Sequence, residues 1–207
     1  MKLPRNGLVL LASAALALCA YTKSEAQTGA PPTPAQPQRS GLPEWHPIPV
    51  GQPAPDFAAN TPDGHKVSLS DLKGKVVILD FWATWCGPCQ VSMPGLENVY
   101  QQIKNDGVVV LSLNTWDEKE QDFKDWVAKN SGTTYHFDFV RDPAEGDHAA
   151  IRKNSIAKRL YHVIGIPTMY VIDREGNVAG STLGSGSEGD LVKILGSVGV
   201  KAHAPAK

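Results

Sequence analysis

The chain has 207 residues, with 20 Lys and Arg against 21 Asp and Glu and a formal net charge of −1. That length suits one ordinary domain with extensions, and a hydrophobic content of 42% is enough to bury a core. No segment concentrates Lys and Arg, which excludes a nucleic-acid partner, because phosphate binding needs a dense basic face.

Residues 1–26 read as a secretory signal. Lys2 and Arg5 supply the positive flank, Gly7 to Ala20 a short apolar run, and Ser24-Glu25-Ala26 the small residues that a signal peptidase accepts. The run falls short of the roughly 20 apolar residues of a membrane span. Cys19 follows Leu18, where bacterial lipoproteins carry Gly, Ala or Ser, so cleavage after Ala26 is favoured over a lipid anchor or an uncleaved one. The expected location is therefore periplasmic or otherwise extracytoplasmic. The mature chain keeps two cysteines, Cys86 and Cys89. One C-x-x-C pair is no disulfide framework, so these thiols serve chemistry or a metal.

Residues 27–49 are dense in Pro, Gln, Ala and Thr and read as a disordered linker, unable to bury enough apolar surface to fold. The folded domain is expected over 50–200, followed by a disordered tail over 201–207. Phe57 to Asn60 and His65 to Leu69 flank the turn Thr61-Pro62-Asp63-Gly64 as a hairpin. The apolar run from Val76 to Trp82 predicts a strand buried on both faces. A helix opens at the cysteines and runs to about Lys104, kinked at Pro94, with Gly107 free to take the left-handed conformation at its end. Val108 to Asn114 is a second buried strand. Asp117, with Glu120 three residues on, predicts a capping box for a helix through Lys129. Phe137 to Val140 is a short strand and Asp147 to Leu160 a helix. Thr168 to Ile172 and Val178 to Leu183 form a second hairpin around Arg174-Glu175-Gly176-Asn177. Ser187 and Asp190 open a last helix ending near Gly199. The fold class is α/β, with a sheet of mixed direction flanked by helices.

The chemistry concentrates in Trp82-Ala83-Thr84-Trp85-Cys86-Gly87-Pro88-Cys89. Cysteine attacks as a thiolate, and a helix N-terminus stabilises one with its unpaired N–H groups and dipole. Three residues on, Cys89 lies one turn away, close enough to displace a partner from Cys86. Pro88 suits the first turn, where a missing N–H costs nothing. A zinc site would need further ligands. No second C-x-x-C exists, and His46, His65, His136, His148, His162 and His203 are scattered, so no metal and no cofactor beyond the dithiol is expected. Asp138, Asp142, Glu145 and Asp147 lack a calcium-loop pattern and read as a solvated loop. Trp82 reads as packing, Trp85 as groove lining, and Trp116 as either core or rim.

Trp85-Cys86-Gly87-Pro88-Cys89 resembles the active site of thioredoxins. Asp80 matches that family's buried acid, Pro94 its helix proline, Gly165-Ile166-Pro167-Thr168 the loop whose proline is cis, and Gly184 a glycine near the substrate groove. Gly51-Gln52-Pro53-Ala54-Pro55-Asp56-Phe57, the N-terminal hairpin and an insertion between Trp116 and Val163 resemble the extracytoplasmic TlpA/ResA-type branch. The resemblance implies a thioredoxin-like sheet and a disulfide reductase. Cys86 would be its nucleophile, Cys89 its resolving thiol and Asp80 the proton acceptor. Trp85, Gly87, Pro88, Ile166, Pro167 and Gly184 would bind substrate. It further implies a monomer whose substrates are disulfide-bearing exported proteins, such as apocytochrome c, and a membrane thiol donor. Two departures stand out: the TlpA/ResA branch commonly has Asn at Asp80, and Ser112 replaces thioredoxin's nearby lysine. A peroxiredoxin would carry proline and threonine where Leu79 and Ala83 stand. A copper chaperone would favour C-x-x-x-C with a distal His.

Overall fold

The structure is a computed structural model, and it describes residues 44–205. The signal, Cys19 and most of the Pro-rich linker lie outside the described residues.

Seven strands form one sheet: β1 (Ala58–Asn60), β2 (Lys66–Ser68), β3 (Val76–Trp82), β4 (Val108–Asn114), β5 (Asp138–Arg141), β6 (Thr168–Ile172) and β7 (Val178–Leu183), in the order β2-β1-β5-β4-β3-β6-β7. β3, β4 and β5 run parallel, joined by helices α1 (Gly87–Ile103) and α2 (Glu120–Asn130). β6 pairs antiparallel to β3 on its other side, and β1 antiparallel to β5, which gives the mixed directions expected. The insertion supplies α3 (His148–Asn154) and α4 (Ile156–Arg159), and α5 (Glu188–Ser197) follows β7.

Every residue of β3 is buried, because helices cover both faces of the sheet. Side chains alternate across a strand. Val76, Ile78 and Trp82 therefore pack with Met93, Leu96, Val99 and Ile103 of α1 and Leu191 of α5. Val77, Leu79 and Phe81 pack on the opposite face with Ile151, Ile156 and Tyr161 of the insertion and with Phe57. α1 buries Cys89, Ser92, Met93, Leu96, Val99 and Ile103, a stripe at three- and four-residue spacing. Pro94 sits within α1 on its exposed side, where its lost N–H does not end the helix. Gly107 takes φ 73° three residues beyond Lys104, and its carbonyl accepts from the Val76 N–H.

Three expectations give way. Asp117 does not cap α2. The N-cap is Lys119 without a side-chain bond, and the Asp117 carboxylate turns inward to Thr84 and Asn114. The helix expected from Asp147 to Leu160 breaks at Ser155. That hydroxyl accepts from the Lys158 N–H, starting α4, and from Trp116 Nε1 at 3.1 Å. Asp142 is no solvated loop residue: it is buried and accepts from Ile156 N–H, Ala144 N–H and Thr115 Oγ1. Ala202 is buried in the α1-side core, and His203 exchanges two hydrogen bonds with the Gln102 side chain of α1.

Candidate active site

The two cysteines lie at the C-terminal end of the central strand, where the chain leaves β3 to enter α1. Ala83 and Cys86 close a tight turn through a 3.1 Å bond from the Cys86 N–H to the Ala83 carbonyl. Cys86 is the N-cap of α1, and its Sγ accepts the Cys89 N–H at 3.2 Å. A thiolate there would receive a charge-assisted bond and the positive end of the helix dipole. The expected helix start shifts by one residue, placing Gly87 and Pro88 at its first two positions. The sulfurs are joined as a disulfide with Cα atoms 5.3 Å apart. Cys86 is 4% exposed and Cys89 fully buried, so Cys86 is the more accessible of the two sulfurs.

The Ile166–Pro167 peptide is cis, and the Ile166 carbonyl oxygen lies 3.8 Å from Cys86 Sγ. Gly184 adopts φ 92°, a region open to glycine, and its N–H bonds the Pro167 carbonyl at 2.8 Å. The structure thus brings the cis-proline loop to the sulfur and the glycine to that loop. Trp85 is 55% exposed, and Val91 and Leu183 are exposed as well. His148, at the start of α3, comes beside Trp85 with ring centroids 6.3 Å apart. Trp82 and Trp116 are core: Trp82 packs on Trp126 at 4.5 Å, and Arg152 lies 4.1 Å over the Trp116 ring.

Asp80 falls in the register of Ile78 and Trp82, on the face that α1 covers and toward which Cys89 is buried. Opposite it on β4 stands Ser112, whose hydroxyl donates to Asp80 Oδ2 at 3.0 Å. Burial pushes this carboxyl up to about 7, against the weaker pull of the Ser112 bond. A carboxyl poised near neutrality can hold or release a proton under ordinary conditions. Three polar residues join the site beyond those expected there: Thr84, Gln90 and Asp117, the last read in the sequence only as a helix cap. Asp117 accepts from the Thr84 N–H, and Gln90 Nε2 donates to the Thr84 carbonyl at 2.7 Å. Among the described residues, no three His, Cys, Asp or Glu side chains group so as to hold a metal ion.

Residues 50–181 match the AhpC/TSA family. The chain belongs to that family. Within it, thiol-disulfide oxidoreductase ResA of Bacillus thuringiensis subsp. konkukian is 33% identical over 70% of this chain and 76% of the relative. A Chlorobium tepidum structure assigned as thiol:disulfide interchange protein DsbE has a TM-score of 0.61 and 33% identity, covering 73% of this chain and 98% of that one. The pneumococcal exposed lipoprotein thioredoxin of Streptococcus pneumoniae has a TM-score of 0.56 at 28% identity, over 69% of this chain and 99% of that one. The fold is thioredoxin-like, and the protein is a thiol-disulfide oxidoreductase of the ResA/DsbE type.

Proposed function

We propose that this oxidoreductase works outside the cytoplasm and reduces protein disulfides through Cys86 and Cys89. The supporting observation is Cys86 Sγ at the N-terminus of α1, accepting the Cys89 N–H with the cis-proline loop beside it. The signal-like N-terminus and the exposed lipoprotein among its structural neighbours favour the extracytoplasmic setting.

The Cys86 thiolate attacks one sulfur of a substrate disulfide. A Cys86–substrate bond forms, the substrate S–S bond breaks, and one substrate thiolate leaves. Cys89 then loses its proton to Asp80 and attacks Cys86 Sγ. The second substrate thiolate leaves, and the Cys86–Cys89 disulfide forms. The substrate has gained two electrons and the enzyme has lost two. Ile166 offers its backbone to a substrate strand, while Trp85, Gly87, Pro88, Pro167 and Gly184 line its approach. Returning the enzyme to the dithiol calls for a thiol donor at the membrane. The resemblance to the TlpA/ResA branch favours apocytochrome c or other exported thiol proteins as substrates.

Two measurements test this reading. The reduced protein should precipitate insulin by reducing its interchain disulfides. A Cys89→Ser variant expressed with its own N-terminus should collect mixed disulfides with exported proteins. Inert insulin with tight copper binding would instead support the copper-chaperone alternative.

A further inference from the structure

The turn that carries Cys86 is held on both sides of Thr84, at two successive peptide groups. The Thr84 N–H donates to the Asp117 carboxylate, at 3.2 Å to one oxygen and 3.3 Å to the other. The Thr84 carbonyl accepts from Gln90 Nε2, one turn into α1. Two residues before Thr84, at the end of β3, the Trp82 carbonyl accepts the Thr115 N–H at 2.7 Å, so the end of β4 follows the end of β3 to the turn. Thr84 is two residues from the nucleophile. Whatever fixes its two flanking peptide groups fixes the direction in which Cys86 Sγ leaves the chain.

Asp117 is built in at some cost. It is buried, and its carboxylate also accepts from Asn114 Nδ2 at 2.8 Å. Arg141 reaches only its backbone carbonyl, at 3.4 Å. Burial raises its carboxyl against those hydrogen bonds. Trp116, just before it, has φ 67°, a conformation that bulky residues seldom adopt. The Trp116 side chain is fastened on two sides, to Ser155 and under Arg152, so the packing dictates that backbone and with it the path of the chain into Asp117.

We propose that Asp117 is a positioning residue for Cys86, clamping, together with Gln90, the two peptide groups that flank Thr84; the proposal rests on Cys86 being the attacking thiol. Asp117 touches no reacting atom. It keeps the Ala83–Cys86 turn in the one arrangement that puts Sγ at the helix N-terminus, facing the Cys89 N–H.

Stopped-flow exchange of the full-length protein with a synthetic peptide disulfide tests the clamp. Asp117→Ala and Gln90→Ala are each expected to slow formation of the mixed disulfide by about tenfold or more, the range that a misplaced attacking group costs. Gln90 is exposed, so its truncation leaves the fold intact. The double variant is expected to be little slower than Asp117→Ala, because freeing one side of Thr84 already releases the turn. Asp117→Asn is expected to restore most of the rate. Its amide oxygen still accepts from Thr84, and a turned Asn114 amide can accept its new N–H through Asn114 Oδ1, which is buried without a partner. Native exchange in Gln90→Ala, or in a folded Asp117→Ala, would overturn the proposal. So would an Asp117→Asn variant as slow as Asp117→Ala, or losses that multiply in the double variant. Exchange is read in both directions, so a protein that oxidised the peptide would count against the reductase reading and leave this test intact.

Discussion

Asp80→Asn separates the stability cost of a buried acid from its chemical use. With the folded carboxyl near 7 and the unfolded one at 3.8, the unfolded chain releases its proton first as pH rises. Below the unfolded value both states hold the proton and the group contributes nothing. Between the two values stability falls, and above the folded value the loss is complete at about 4 kcal/mol. Between pH 5 and pH 8 the native protein should therefore lose about 2 to 3 kcal/mol that Asp80→Asn does not lose. Urea unfolding of both proteins at the two pH values gives the difference. The comparison of pH slopes is insensitive to whatever the new amide N–H costs in the core, since that cost is the same at each pH. On the same preparation, single-turnover release of the mixed disulfide should be about 10²-fold slower near neutrality, the scale of a lost acid–base group. The defect should shrink in alkali, where Cys89 ionises unaided. Parallel pH slopes would refute the buried-acid reasoning, and native release would leave Asp80 a structural carboxylate.

Cys86→Ser should abolish exchange with disulfides. Iodoacetamide should label Cys86 of the reduced protein ahead of Cys89, as mapped by mass spectrometry. Pro88→His should make the protein more oxidising in a glutathione titration, by stabilising the Cys86 thiolate further at the helix N-terminus. Ser155→Ala should cost about 1 to 2 kcal/mol in urea unfolding, since one hydroxyl both caps α4 and holds the buried Trp116 indole.

The four strands over Val76–Trp82, Val108–Asn114, Thr168–Ile172 and Val178–Leu183 were legible because their apolar runs and turn residues act locally. The dithiol was legible for the same reason: its spacing alone puts both sulfurs on one helical turn. The resemblance supplied the cis peptide at Pro167, which no local pattern distinguishes from a trans one. What stayed hidden depends on partners far along the chain. Asp117 and Glu120 look like a capping box, yet the carboxylate finds Thr84, 33 residues earlier. The helical pattern across Ser155 is unbroken in sequence, but its hydroxyl meets an indole 39 residues away. No local pattern marks Ala202 for the α1-side core, or His203 for its two hydrogen bonds to Gln102, 101 residues earlier.

The reduction potential of the Cys86–Cys89 pair tests the central claim most directly. Equilibration with glutathione buffers, quenched and alkylated for mass analysis, gives the fraction oxidised at each poise. The expected potential lies near the value of about −270 mV for thioredoxin, low enough to drive electrons into protein disulfides. A potential near the value of about −120 mV for DsbA would contradict it, because a disulfide so easily reduced would oxidise its partners instead.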